Sequence, residues 1–345
     1  MAAIEAAHFY MGVGAQTAQG TAATNPDIML RGVTNATISP ASETVSEPSG
    51  GDSRKYRDDV TVKAKIGGNV GTPAFQATPT AITYFLAKLG NVVKTGSGVT
   101  KTYTITASDD APEPLTFFKG VGRTTKVSQL FVDSRVTQLD LNLGLQQRIG
   151  RLSAAIMSLK PGVNADPTAT LTPVIDDLHS IPFVFSDLRG SLQIPEIGST
   201  HRVSDVRVTW TDSVSDYQGD RLYSEEFVEG FGSVVLSGTV LLDQDTIDLL
   251  NLIWYGTTSP AVGATISESI YMTSSPVSLK LSRGSGDTEE SVEITLDRSQ
   301  FEVAVELAGN PEGGVIELPF TATSRPAAGG NAWSAVCKLP LNLTL

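Results

Sequence analysis

Read for hydrophobic and polar positions, the chain carries one pattern twice. Val60, Val62, Ala64 and Ile66 alternate with Thr61, Lys63 and Lys65, the period of a half-buried strand. Thr78 then stands as a helix cap, with Pro79 at the first helical position. Ile82, Phe85, Leu86 and Leu89 form an apolar stripe, and Gly90 is a stop. Residues 230–256, GFGSVVLSGTVLLDQDTIDLLNLIWYG, repeat a strand and a helix, with Asp243 as cap and Ile247, Leu250 and Trp254 facing inward. Each unit follows another alternating strand (Ile28 to Ile38, then Val203 to Trp210) and a long polar loop (41–58, then 212–226). In the second of these strands Val206, Val208 and Trp210 oppose Asp205, Arg207 and Thr209. The letters of the two halves differ, so it is the order of pattern that repeats. A period near half the chain belongs to a duplicated domain and not to a solenoid, whose repeats run to about 20–50 residues.

Further alternation predicts strands at Thr102–Ala107, Leu115–Lys119, Lys126–Val132, Val136–Leu143 and Ile149–Leu159 after the first helix. After the second it predicts Ser267–Thr273, Val277–Ser282, Val292–Leu296, Gln300–Leu307, Val315–Thr323 and Ala335–Leu343. Ala2 to Pro26 is rich in Gly, Ala, Gln and Thr and reads as an extended arm. Residues 160–180 hold three prolines and no clear period, and Phe183–Ile194 opens the second copy. The expected organisation is a first domain at 1–160 with the arm, a linker at 161–180 and a second domain at 181–345. The fold class is all-β with one short flanking helix per copy, a sandwich or partly closed barrel twice over.

At 345 residues the chain is long enough for two ordinary cores. No apolar run approaches the roughly 20 residues of a bilayer span, so no membrane partner is expected. The opening MAAIEAAHFYMGVGAQ has no basic run ahead of its apolar residues, which argues against a secretory signal. The single Cys337 precludes an intrachain disulfide and suits a reducing cytosol. The charge is unevenly spread. Residues 1–160 carry 16 Lys and Arg against 12 Asp and Glu, a net +4, while 161–345 carry 9 against 25, a net −16. Such a balance invites one half to pair with the other, and it lacks the basic face that sequence-specific nucleic-acid binding needs.

Candidate chemistry is sparse. His8, His179 and His201 stand alone, and one cysteine without a Cys/His cluster makes no zinc site. GVGAQTAQG (12–20) lacks the lysine of a phosphate loop. The acidic stretches 109–113 and 286–290 fit no calcium-loop spacing and read as hairpin turns, and Asp176–Asp177 reads as part of the linker. The expectation is a non-enzymatic protein with no catalytic residue, metal or cofactor. A carbohydrate-binding pair of sandwiches would cluster surface aromatics for stacking. Trp210 and Trp254 fall instead on apolar faces, and Trp333 is alone.

The order of elements resembles the major tail tube protein of siphovirus-type bacteriophages. The likeness rests on the arm Gly12–Ala22 (GVGAQTAQGTA), on strand, long loop, strand and helix across Asp27–Gly90, on their recurrence at Val203–Gly256, and on the strand-turn-strand run Ile294–Leu307. It covers most of the chain and rests on pattern. The resemblance implies a structural virion protein whose sandwich domains give strands to an inter-subunit β-barrel. Rings of that kind stack into a hollow conduit for double-stranded DNA. Two tube domains in one chain imply a homotrimeric, pseudo-hexameric ring. The implied partners are further copies, a tape-measure protein and tail-tip or terminator proteins, with DNA passing unbound. The implied place is the virion tail, assembled in the host bacterial cytoplasm. A tail-tip or tail-completion ring shares the fold and is the alternative. Under this resemblance the candidate lumen-facing residues are Asp140, Asn142, Asp205, Arg207, Thr209, Glu302 and Glu306. The candidate inter-ring loops supply Glu43, Glu47, Asp52, Arg54, Lys55, Tyr217, Asp220, Arg221, Glu225 and Glu226.

Overall fold

The computed structural model describes the chain except for residues 1–8, 35–36, 49–58, 97–98, 111, 122–126, 167–170, 178–179, 189–191, 199–200, 202, 242, 304–316, 327–329, 341–342 and 344–345. The first half runs β1 (Phe9–Ala15), β2 (Ile28–Met29), β3 (Ser42–Pro48), β4 (Asp59–Ile66), β5 (Gly68–Gly71), β6 (Ala74–Gln76), α1 (Pro79–Leu89), β7 (Gly90–Thr95), β8 (Lys101–Ala107), β9 (Leu115–Val121), β10 (Val127–Gly144) and β11 (Arg151–Asn164). The second runs β12 (Ile175–Asp176), β13 (Leu192–Gln193), β14 (Val203–Thr211), β15 (Val214–Tyr217), β16 (Glu226–Glu229), β17 (Ser233–Leu241), α2 (Gln244–Tyr255), β18 (Val277–Arg283), β19 (Glu290–Leu296), β20 (Arg298–Val303), β21 (Glu317–Arg325) and β22 (Trp333–Leu339). Strands take 53% of the chain, which makes the fold all-β with two α-helices. Among the described residues no helix is long and apolar enough to cross a membrane.

Two sheets carry the fold. A 12-stranded sheet contains β14, β17, β21 and β20 together with β1, β9, β10 and β11, and a six-stranded sheet runs β13-β18-β19-β22-β8-β7. Both cross residues 161–180. The two halves share a strand order. In the second half β14, β17, β21 and β20 are successive antiparallel neighbours. In the first half residues 31–34 and 37–39 lie along β5 and β6, with Thr34 N donating to Ala74 O (2.8 Å), Gln76 N to Arg31 O (3.0 Å) and Ser39 N to Val70 O (2.9 Å). β5 and β6 pair with β11, and β11 pairs with β10. The two four-ribbon arrays have the same order: an entering ribbon, the ribbon leading to the helix, and a closing hairpin. β10 then pairs with β14 from Gln138↔Thr211 to Gly144↔Asp205, joining the arrays edge to edge.

Alternation explains the inner face. Leu139, Leu141 and Leu143 of β10 are buried beside Leu152 and Ala154 of β11 and Val206, Val208 and Trp210 of β14. These join one core cluster with Ile294, Trp333 and Cys337 of the six-stranded sheet. Trp210 meets Trp333 edge to face, ring centroids 6.0 Å apart, a contact between the sheets.

Thr78 caps α1 by accepting from Ala81 N, with Pro79 at the start, and Pro79 through Leu86 are all buried. The helix therefore lies inside the molecule, against β7, β8, β19 and β22, where an amphipathic stripe was expected. Its polar groups are satisfied: Thr83 Oγ1 donates to Pro79 O (2.7 Å), and Tyr84 donates to Asp27 Oδ2 (2.9 Å). Burial, helped by Asp27, pushes the Tyr84 phenol well above its ordinary range. α2 has a capping box, in which Asp243 accepts from Thr246 N and Thr246 returns its side chain to Asp243 N. Drawing Thr246 inward turns the helix so that Leu249 and Leu250 are buried and Ile247 is 38% exposed, where Ile247 was expected inside.

Other boundaries also differ from expectation. Residues 9–15 of the arm form β1, paired with β9 along its length, with Met11 and Val13 buried. Gly12 and Gly14 let Pro26 and Asn25 lie against the strand, since a Cβ at either would stand 2.8 Å from them. The strands expected at 126–132 and 136–143 are one strand, β10. Val132 and Asp133 pass through the β9 pairing as an irregularity, with Asp133 in the left-handed region (φ 51). The buried Asp133 is held by Gly20 N (2.6 Å) and Lys160 (3.4 Å). Ser267–Thr273 forms only the isolated bridge Met272↔Gln300, and Phe183–Ile194 forms a short 3-10 turn and β13.

Candidate functional site: a polar sheet face and two joined hairpins

Opposite the core, the joined arrays present a polar face. Because pairing is in register, side chains line up in rows across the sheet. One row is Ser153, Asp140, Thr209, Val235, Thr323 and Gln300; the next is Arg151, Asn142, Arg207, Ser237, Thr321 and Glu302. Asp205 lies beyond them between Gly144 and Thr239. Asp140, Asn142, Asp205, Arg207, Thr209 and Glu302, read separately from three strands' worth of sequence, thus share one face. Glu306 lies outside the described residues.

Of the charges on this face, Asp140 and Arg207 form an ion pair, while Arg151, Asp205 and Glu302 are exposed. Asp140 pairs with Arg207 (3.0 Å) and accepts from Thr209 Oγ1 (2.6 Å) and Gln138 Nε2 (2.9 Å). Arg207 is half exposed, so this pair contributes little to stability, on the order of 0–1 kcal/mol. Its effect is to hold a cation against a carboxylate. Beside Asp205, Arg207 and Val235, the face across β14, β17 and β21 carries short hydroxyl-bearing side chains: Thr209, Ser237, Thr239, Thr321 and Thr323.

The described residues of the long loops at 41–58 and 212–226 include strands of two hairpin ribbons. β3 pairs with β4 and β15 with β16, each as a separate two-stranded ribbon. The root of the first ribbon, at Ile66, is joined to the turn of the second, residues 218–225. Ile66 N donates to Leu222 O (2.7 Å) and Ser224 N to Ile66 O (2.9 Å). Lys65 pairs with Asp216 (2.7 Å), and Gln218 Nε2 donates to Ala64 O (2.8 Å). Burial alone would lift Asp216, but Lys65 and Ser224 hold its carboxyl below the usual range. Gly67, at φ 127, is required here: a Cβ would stand 2.6 Å from Ser224 Oγ.

On these ribbons Glu43 is exposed opposite Lys65, and Glu47 is opposite Val60 in the backbone register. Tyr217 pairs with Glu226 at the end of the second ribbon. Asp220 is exposed in its turn, and Arg221 pairs with Glu225 at 3.2 Å. Asp52, Arg54 and Lys55 lie outside the described residues. Val45 and Val62, directly paired across the first ribbon, are both exposed, as are Tyr223 and Val228.

No family model matches this chain, and a search of curated proteins finds no match either.

Two features escaped the sequence reading. One is the Arg135 clasp, in which the guanidinium lies 4.8 Å from the Phe227 ring centre and pairs with Glu229, tying β10 to the second hairpin. The other is the joining of the first hairpin's root to the second hairpin's turn. Its only sequence signal is Gly67–Gly68 beside an otherwise regular strand, a mark of close backbone approach. His201 is buried, and burial pulls its imidazole below the ordinary value despite Asp243 and Asp245 nearby.

Proposed function

We propose that this chain is a structural subunit that assembles head to tail into rings, and that the rings stack into the tail tube of a siphovirus-type phage. The observation that carries the proposal is the junction of β10 with β14. Two arrays of like order meet edge to edge and keep one continuous polar face. Among the described residues the path of the central sheet ends at β20, whose outer edge is covered only in part, by residues 271–273 along Ser299–Phe301. Edge strands left unpaired invite further pairing, and closure across copies removes them.

Three copies would give a sheet of about 24 ribbons. At a spacing of about 4.8 Å and a tilt near 40° the barrel would be close to 48 Å across its backbone. Inward side chains would leave a lumen of roughly 35 Å, wide enough for a double helix. Short hydroxyls, a paired Arg207 and the exposed Asp205 and Glu302 beside Arg151 suit a lumen that holds phosphate only weakly, since a face of free Lys and Arg would bind it. The joined hairpins, with their exposed valines and tyrosines, suit contact between stacked rings.

Negative-stain electron microscopy of the pure protein over a concentration series, with mass by light scattering, tests the proposal. Hollow rings or tubes with a trimer repeat are the expected result. A monomer at every concentration, also when seeded with preformed tail-tip complex, would overturn it.

A further inference from the structure

We propose that the exposed apolar surface formed by α2 and residues 256–272 receives the first half of a second copy of this chain. The inference rests on the ring reading above and assigns one side of its subunit contact.

α1 and α2 hold equivalent places, each following the second ribbon of its array, yet their surroundings differ. α1 is buried from Pro79 through Leu86 because β19 and β22 of the second half close over it together with β7 and β8. α2 buries only Thr246, Leu249 and Leu250 and packs on β20. Beside the half-exposed Ile247, the following segment presents Val262 (108% exposed), Ile266 (70%) and Ile270 (67%). That segment is tied to the fold. Asn251 Nδ2 donates to Thr258 O (3.1 Å), Ser267 N to Trp254 O (2.6 Å) and Thr273 N to Ser299 O (2.9 Å). Single exposed aliphatic residues are ordinary, whereas a group of them on one hydrogen-bonded segment marks a contact surface.

Position and charge identify the occupant. Residues 271–273 run along the outer edge of β20, where the path of the central sheet ends, so the surface borders the edge at which another array would join. Inside the chain the matching place, beside β10, is occupied by the second half, and that half supplies the cover for α1. Between Arg221 and Lys280 there is no Lys or Arg, and Asp243, Asp245, Asp248 and Glu268 lie on and around α2. Residues 1–160 carry net +4, so the first half of another copy approaches with the opposite sign.

Two measurements test the assignment. Cys337 is the only cysteine and is fully buried, so V262C offers one reactive thiol for an environment-sensitive fluorophore. Its emission should shift to the blue in step with the rise in mass. The double variant Val262→Asp, Ile266→Asp should raise the concentration for half-assembly by roughly tenfold or more, since burying either charge in the contact is unfavourable. Its monomer should keep the wild-type thermal midpoint, both side chains being solvated. If the wild type assembles and the double variant assembles at the same concentration, or the label's emission stays unchanged, this surface is wrong and the ring reading stands. A wild type that never assembles overturns both.

Discussion

Leu152→Ala tests whether the two halves fold as one body. Leu152 is fully buried on β11, opposite Phe75 of β6 and Leu141 of β10, so its direct sheet neighbours lie in the first half. Truncating a leucine at such a site removes its transfer free energy and leaves a cavity, a loss of about 2–5 kcal/mol. Neighbours pinned by ladders on both sides collapse poorly, which argues for the upper part of that range. Trp210, Trp254 and Trp333, the only tryptophans, all lie in the second half. The halves are joined by the β10–β14 register and by β8–β22, from Ser334↔Thr106 to Leu339↔Lys101, and separating them would open the shared core. Urea unfolding at monomer concentration, followed by tryptophan emission, should therefore show one transition. For a slope near 3 kcal/mol per molar urea its midpoint should fall by about 1 M. A tryptophan transition that stays put, while far-ultraviolet circular dichroism reports a separate earlier one, would refute the coupling.

Three further outcomes are expected. Thr78→Ala removes the α1 cap and the hydroxyl that donates to Asp177 Oδ2 at 2.6 Å, and should cost about 2 kcal/mol by thermal or urea unfolding; Thr78→Ser should restore most of it. His201 is held below its ordinary value by burial, so the folded state binds fewer protons than the unfolded one as pH falls through about 6.5. Its contribution is complete above that pH and is lost below it, and the thermal midpoint of His201→Phe should fall less than that of the wild type between about pH 7.5 and 5.5. Burial pushes the Cys337 thiol up to about 12, so a thiol reagent at about pH 8 should label the protein only after unfolding; rapid labelling of the native state would contradict the buried position.

Local chemistry was legible wherever one residue type decides a local outcome. Thr78 with Pro79 and Asp243 before α2 mark helix starts by cap chemistry alone, and both stand as caps. The alternation around Leu139–Leu143 and Val206–Trp210 assigns the buried faces, which are the observed ones. Sequence pattern failed where the partner lies far along the chain. Nothing local in GVGAQTAQG says that Met11 and Val13 will be buried by pairing with Phe117 and neighbours a hundred residues on. The orientation of α2 was misread because a threonine drawn into a cap outweighed an isoleucine in the stripe. The 41–58 and 212–226 segments are polar on both faces, so period-2 reading has no contrast to detect, and their β structure comes from ladder bonds and from the join at Ile66.

The shared polar face carries more weight than its members do singly. A slip of one residue in the β10–β14 pairing would bury the polar set of one strand and expose its apolar set. The register avoids that because Leu139, Leu141 and Leu143 meet Trp210, Val208 and Val206 on the same side. Hydrophobic contact between the two halves thus aligns Asp140 with Thr209 and Asn142 with Arg207, although neither pair is needed for burial. The same rule applies to any ribbon that continues the sheet at β20. Apolar residues must meet apolar ones below, so the hydroxyl rows continue above without separate instruction. A chain that repeats its array once, and joins the two copies by an edge, already contains the operation that would build a ring.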